Sequence, residues 1–243
     1  MLKKITILAI AILSVGSGYA QKSDANKHVK PSQEAIQKPK LVVGLVIDQM
    51  RWDYLYRYQS KYTDGGFKRL LNTGFSLNNV MIPYIPTVTA LGHTSVYTGS
   101  VPSIHGIAGN DWTDKSTGKN VYCTTDNSVQ AVGTSNAKIG QHSPRNLWST
   151  TITDQLGIAT NFRSKVVGVS LKDRASILPA GHNPTGAFWF DDSSGDFITS
   201  SYYMNDLPTW VKDFNAKNLP KSLVANGWDT LLPIEQYTES TSD

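Results

Sequence analysis

The run Leu41-Val-Val-Gly-Leu-Val-Ile-Asp48 is apolar without alternation, which predicts a strand buried on both faces of a mostly parallel sheet, with Asp48 at its C-terminal end. From Arg51 the pattern turns helical, with Tyr54, Leu55 and Tyr58 on one face; Gly65-Gly66 interrupts it, and a second short helix ends near Gly74. Ser76 to Ile82 reads as another strand. Pro83 and Pro86 then force an extended or turning backbone, and Thr89 to Thr98 can form a helix closed by Gly99. Residues from about 110 to 145 are polar and aperiodic, which predicts an excursion of loops and short strands forming a cap or rim. A helix is expected from about Leu147 to Leu156, a strand over Lys165 to Ser170, a hairpin with arms Ala187 to Phe190 and Phe197 to Thr199, and a short helix from Pro208 to Asn215.

The first residues stand apart from this pattern. Lys3 and Lys4 precede an apolar run from Ile5 to Val15, and Gly16 to Ala20 are mostly small, the order of a secretory signal cleaved after Ala20. That run is 11 residues long, whereas a helix needs about 20 to span a bilayer. The expected product is periplasmic or secreted, with no stable membrane anchor. Residues 21–40 hold five lysines, Pro31 and Pro39 without apolar periodicity and read as a flexible linker.

The chain has 243 residues, 40% of them hydrophobic, enough for a sizeable core. Its formal charge of +4 falls to 4 − 2 = +2 once Lys3 and Lys4 are removed, which gives no basis for nucleic-acid binding. Cys123 stands alone, so neither an internal disulfide framework nor a multi-cysteine metal site is available.

Taken singly, Asp48 and Thr89 are each consistent with helix caps. Together, a carboxylate and a hydroxyl at the carboxyl edge of one sheet, one of them near a helix N-terminus, suit an anion and a metal. A threonine hydroxyl is a weak nucleophile at its free pKa and needs a metal or a base. His93 shares the helix face of Thr89 but reads better as a structural histidine, which leaves the metal route.

These residues form an ordered set. Val46-Ile-Asp48 with Arg51 and Asp53, Pro86-Thr-Val-Thr89, His93, Tyr97-Thr-Gly99, Pro102, His105-Gly-Ile107 and Asn110 resemble the alkaline phosphatase superfamily, in the branch shared with nucleotide pyrophosphatase/phosphodiesterases. The resemblance covers residues 41–243. It implies an α/β domain, a mixed sheet sandwiched by helices with a loop-rich cap insertion over about 111–145. It also implies two zinc ions, with Asp48 and Thr89 among the metal ligands and Thr89 as the nucleophile that becomes phosphorylated. The family's asparagine that contacts a phosphoryl oxygen lies 21 residues beyond the nucleophile, and 110 − 89 = 21 places Asn110 there.

Lys172 and Arg174 are two residues apart, so on an extended backbone they point the same way and can converge on one dianion; alone they read as solvated charges at a strand end. The pair resembles the lysine and arginine of threonine-nucleophile, phosphate-irrepressible alkaline phosphatases. That implies phosphate monoesters as substrates, because the transferred group of a monoester carries more charge than that of a diester. The alternatives are a phosphodiesterase or nucleotide pyrophosphatase on the same fold, or an inactive exported fragment. The family's other zinc ligands, an Asp-X-X-X-His motif, an Asp-His pair and a final histidine, have no match here. The chain is therefore expected to be the N-terminal part of such a domain, and incomplete.

Overall fold

A computed structural model describes residues 38–238. The expected export signal and most of the linker lie outside the described residues. The chain divides into a unit ending at Leu45 and a second beginning at Val46. In the first, residues 38–45 form neither helix nor strand and are exposed.

The second unit opens with two short helices, α1 (Tyr54–Arg57) and α2 (Gly66–Thr73), followed by α3 (Thr89–Thr98) and α4 (Pro102–His105). The polar excursion supplies β1 (Asp111–Thr113) and β2 (Asn120–Tyr122), an antiparallel pair, then β3 (Ala131–Val132) and α5 (Ala137–Gly140). There follow α6 (Ile152–Ala159), β4 (Val167–Ser170), α7 (Asp173–Ala180), β5 (Gly186–Asp191), β6 (Asp196–Ser200), α8 (Thr209–Asn215) and α9 (Leu219–Val224).

The main sheet has the order β3-β6-β5-β4. Strands β4 and β5 are parallel, joined through α7, and β5–β6 and β6–β3 are antiparallel, so the sheet is mixed as expected. Alternation along β5 sends its side chains to opposite faces. Ala187 and Trp189 pack with Ile177 and Ala180 of α7, while Phe188 packs with Val132, Leu207 and Val211 of α8. Helices therefore cover both faces. Trp189 and Phe188 are almost fully buried, and truncating either to alanine costs about 3–5 kcal/mol. Helix α7 lies so close to β4 that a Cβ on Gly168 would overlap the Ser176 carbonyl oxygen and stand 3.0 Å from Ala180 Cβ.

Two predicted strands are not formed. Leu41 to Asp48 and Ser76 to Ile82 have no regular structure, and their apolar side chains face outward, Val43 at 76% and Leu77 at 71% exposure. A doubly buried strand depends on a neighbour on each side, and no described strand pairs with either segment. The helix expected from Leu147 begins instead at Ile152, where Thr151 and Asp154 form a reciprocal capping box.

Candidate active site

Helix α3 starts where sequence reasoning put it. Val88 is extended, Thr89 is the first helical residue, and Gly99 ends the helix in the left-handed region at φ 63°. The Thr89 hydroxyl donates to Asp48 Oδ2 at 2.8 Å. The other oxygen, Oδ1, accepts from the Gln49 N–H at 3.1 Å, and Gln49 holds a positive φ of 56° to make that turn. Asp48 is exposed and Thr89 half-buried, so the pair is open to solvent on one side.

Asn110 joins them from the loop before β1. Its Oδ1 accepts from the Ala90 N–H at 2.9 Å, and its carbonyl accepts from the Cys123 N–H at 2.9 Å. With Oδ1 turned to the helix start, the amide NH2 keeps its donors for another acceptor. His93 does not face the Thr89 hydroxyl. It is buried, and its Nδ1–H donates to the Thr89 carbonyl at 2.8 Å within its own helix, whereas the strand it was expected to pack against, Ser76 to Ile82, is not formed.

The lysine and arginine differ from expectation in their backbone. Lys172 is the extended N-cap of α7, exposed, but Asp173 and Arg174 are already helical. The two cations are therefore not displayed on one face of a strand, because the helix begins between them. Instead Arg174 Nη1 donates to the Tyr122 hydroxyl at 2.8 Å, with the guanidinium carbon 6.0 Å from the ring centroid. Tyr122 donates in turn to Asp173 Oδ1 at 2.9 Å, and the Thr124 hydroxyl donates to Asp173 Oδ2. Burial alone would lower the Arg174 pKa, but Tyr122 and the charge of Asp173 outweigh it and hold the guanidinium protonated.

Helix α7 packs against α3, and a shared core of Ala90, Ile107, Cys123, Leu147 and Leu178, with Tyr122 and Trp112 against it, seats both helices and β2. The structure thus links Thr89 to Asp48 by a direct hydrogen bond, ties Asn110 to the neighbouring helical residue Ala90, and sets Arg174 on a helix that shares the core of Ala90. Sequence reasoning missed Tyr122 and Asp173. Asp173 carried a signal, an acid in the first turn of a helix; Tyr122, 52 residues from Arg174, carried none.

Among the described residues no three His, Cys, Asp or Glu side chains gather to hold a metal. Asp48 and Thr89 offer one carboxylate and one hydroxyl at a common point, a fit to part of a metal site: two of the four donors that one zinc takes and a minority of those that two zinc ions need.

Comparison with known proteins bears on this arrangement. The chain is 77% identical over 209 residues to alkaline phosphatase PafA of Elizabethkingia meningoseptica, which covers 86% of this chain and 38% of that protein. It is 55% identical over 240 residues to alkaline phosphatase PhoV of Synechococcus elongatus, covering 99% and 44%. A Myroides odoratus protein named calcium-transporting ATPase is 59% identical over 212 residues, covering 87% and 38%. The chain therefore spans about two fifths of the length of these relatives. The crystal structure of wild-type PafA superimposes with a TM-score of 0.84 at 77% identity, over 86% of this chain and 40% of that one. A second PafA structure carries substitutions of a threonine, an asparagine, a lysine and an arginine; those four are spaced as Thr89, Asn110, Lys172 and Arg174 are here. The profile of the family described as type I phosphodiesterase / nucleotide pyrophosphatase matches residues 42–241. With that match spanning most of its length, the chain belongs to the type I phosphodiesterase / nucleotide pyrophosphatase family.

Proposed function

We propose that this chain carries the nucleophile and the phosphoryl-binding groups of an exported, zinc-dependent phosphomonoesterase, periplasmic or secreted. The observation that supports it most is the hydrogen bond from the Thr89 hydroxyl to Asp48, set at a helix start that Asn110 caps. The names of the phosphatase relatives favour the same chemistry.

Thr89 Oγ forms a bond to phosphorus as the bond from phosphorus to the ester oxygen breaks, leaving a phosphothreonine and an alcohol that takes up a proton. Water then cleaves the phosphothreonine, releasing inorganic phosphate and restoring the hydroxyl. Asp48 and Thr89 would hold zinc in part, and its positive charge would favour ionisation of the hydroxyl. The NH2 of Asn110 and the cations Lys172 and Arg174 hold the phosphoryl oxygens. Because a monoester brings more charge to those oxygens, the two cations favour it over a diester.

The family description supports one rival, a phosphodiesterase or nucleotide pyrophosphatase. Both readings are tested by grafting residues 42–241 of this chain into E. meningoseptica PafA in place of its corresponding segment. The chimera should hydrolyse p-nitrophenyl phosphate. Thr89→Ala should abolish turnover and the acid-trapped phosphothreonine found by mass spectrometry. Lys172→Ala with Arg174→Ala should lower monoesterase activity about 100-fold or more and leave bis-p-nitrophenyl phosphate hydrolysis nearly unchanged. Undiminished monoesterase activity in the Thr89→Ala chimera would overturn the assignment of the nucleophile. The same result in the double variant would favour the rival.

A further inference from the structure

A half-buried tyrosine places its hydroxyl between two opposite charges that are neighbours in sequence. Tyr122 at the end of β2 donates its proton to Asp173 Oδ1 at 2.9 Å and accepts from Arg174 Nη1 at 2.8 Å. A phenol has one proton to give, so an oxygen that donates to the carboxylate can only accept from the guanidinium. Burial, with the negative charge of Asp173 added, pushes the Tyr122 phenol well above its usual range, which keeps that proton in place at any working pH.

Asp173 is anchored from its other side. Thr124 donates to Oδ2, and the Thr124 oxygen lies 3.3 Å from Nδ1 of buried His142. The carboxylate's two oxygens are thereby taken by hydroxyls. A direct ion pair between adjacent Asp and Arg side chains would satisfy both charges and fold the guanidinium back onto its own helix. Here the phenol is interposed, and the guanidinium lies beside the Tyr122 ring with Nη1 engaged and its charge uncancelled by direct contact. Arg174 Nε is buried and has no hydrogen-bond partner among the described residues, so the guanidinium keeps an unspent donor. Leaving such a donor unpaired is costly, as expected of a side chain held for an acceptor supplied from outside.

We infer that Tyr122 is a positioning residue for Arg174: its hydroxyl holds the guanidinium off Asp173 and fixes the orientation in which it meets the phosphoryl group. The inference rests on the reading of Arg174 as a phosphoryl-binding cation. Tyr122 need not touch substrate. Its contribution is to spare Arg174 the search for an orientation, and it therefore acts only through that side chain.

Two measurements separate this from a purely structural role. In the 15N-labelled chain, the Arg174 Nε–H resonance, identified by its loss in Arg174→Lys, should exchange slowly with water. Tyr122→Phe should shift it and speed exchange about tenfold or more, while the Trp189 indole N–H, bonded to the Ile139 carbonyl, stays put. Asp173→Asn, which weakens the acceptor of the phenol but spares the ring, should shift the same signal and serves if Tyr122→Phe does not fold. An Arg174 signal unmoved in the folded variant would overturn the inference. In the PafA chimera, Tyr122→Phe should lower monoester kcat/KM about tenfold or more, change diester hydrolysis by less than about twofold, and add nothing in the Arg174→Ala background. If Arg174→Ala itself spares the monoesterase, the functional reading fails. If Arg174→Ala lowers it and Tyr122→Phe does not, only the role of Tyr122 fails.

Discussion

Asn110 caps α3 from 20 residues away, its Oδ1 accepting the Ala90 N–H at 2.9 Å. The carbonyl end of the amide thus has a structural task, and the NH2 end is left to donate elsewhere. Asn110→Asp keeps the acceptor and removes the donors, so urea denaturation should place it within about 0.5 kcal/mol of the parent, whereas Asn110→Ala should lose about 1 kcal/mol with the cap. In the PafA chimera both should lose monoesterase activity, Asn110→Asp the more because its carboxylate repels the phosphoryl oxygens. Full activity with Asn110→Asp would mean that the residue only caps.

The link between His182 and Asp154 makes stability depend on pH from both sides. His182 Nδ1 lies 3.0 Å from Asp154 Oδ2 and Nε2 lies 2.9 Å from the Leu147 carbonyl oxygen, so both ring nitrogens face acceptors and the imidazolium is the form that satisfies them. The hydrogen bond to Asp154 raises the His182 pKa against the effect of burial. Burial would raise the Asp154 pKa, but His182 and the N–H groups of Thr151, His182 and Asn183 outweigh it and hold the carboxyl well below the usual range. The His182 contribution is complete below about pH 6.5 and is lost as pH rises through the raised value; the Asp154 contribution is complete above about pH 4 and is lost as pH falls through the lowered one. His182→Ala should therefore cost about 2 kcal/mol near pH 5 and clearly less above pH 8, measured by urea titration at each pH. An equal cost at both values would refute the link.

Cys123 is completely buried in the core shared by α3 and α7. Burial, with the charge of Asp173 added, pushes its thiol up to about 12. In the native chain it should react with a thiol reagent such as dithionitrobenzoate on the order of 100-fold more slowly than in urea. Comparable rates would show the core around β2 to be open.

Gly168→Ala tests how tightly α7 is held. The added methyl would collide with the Ser176 carbonyl and press on Ala180, so it should destabilise the chain by about 1–3 kcal/mol. Because α7 begins with Asp173 and carries Arg174, the Arg174 Nε–H resonance should move as well. A stable variant with that signal in place would mean that the strand and helix can part without disturbing the cation.

Features decided by neighbours in the chain were legible in the sequence. The helix from Thr89 to Thr98 is closed by a left-handed Gly99, and Asp191 to Gly195 turn the hairpin of β5 and β6, as local residue chemistry dictates. The apolar runs at Leu41 and Ser76 misled because a strand exists only with partners, and pairing is not written in the run itself. Lys172 and Arg174 were expected side by side on an extended backbone, but Asp173 between them opens a helix. Tyr122 escaped notice because its contacts lie 51 and 52 residues ahead, beyond the reach of any periodicity.

Strand β2 and the residue after it have a bearing on the history of such a site. Cys123 ties down the backbone of Asn110, and Tyr122, one residue earlier, seats Arg174. Two groups that the proposed function assigns to one phosphoryl group, from different parts of the chain, thus share one short stretch of scaffold. A mutation that shifts this stretch alters both at once, so a lineage moving toward a new ester would cross a rugged landscape, in which replacing either group is tolerated only alongside a compensating change at the other.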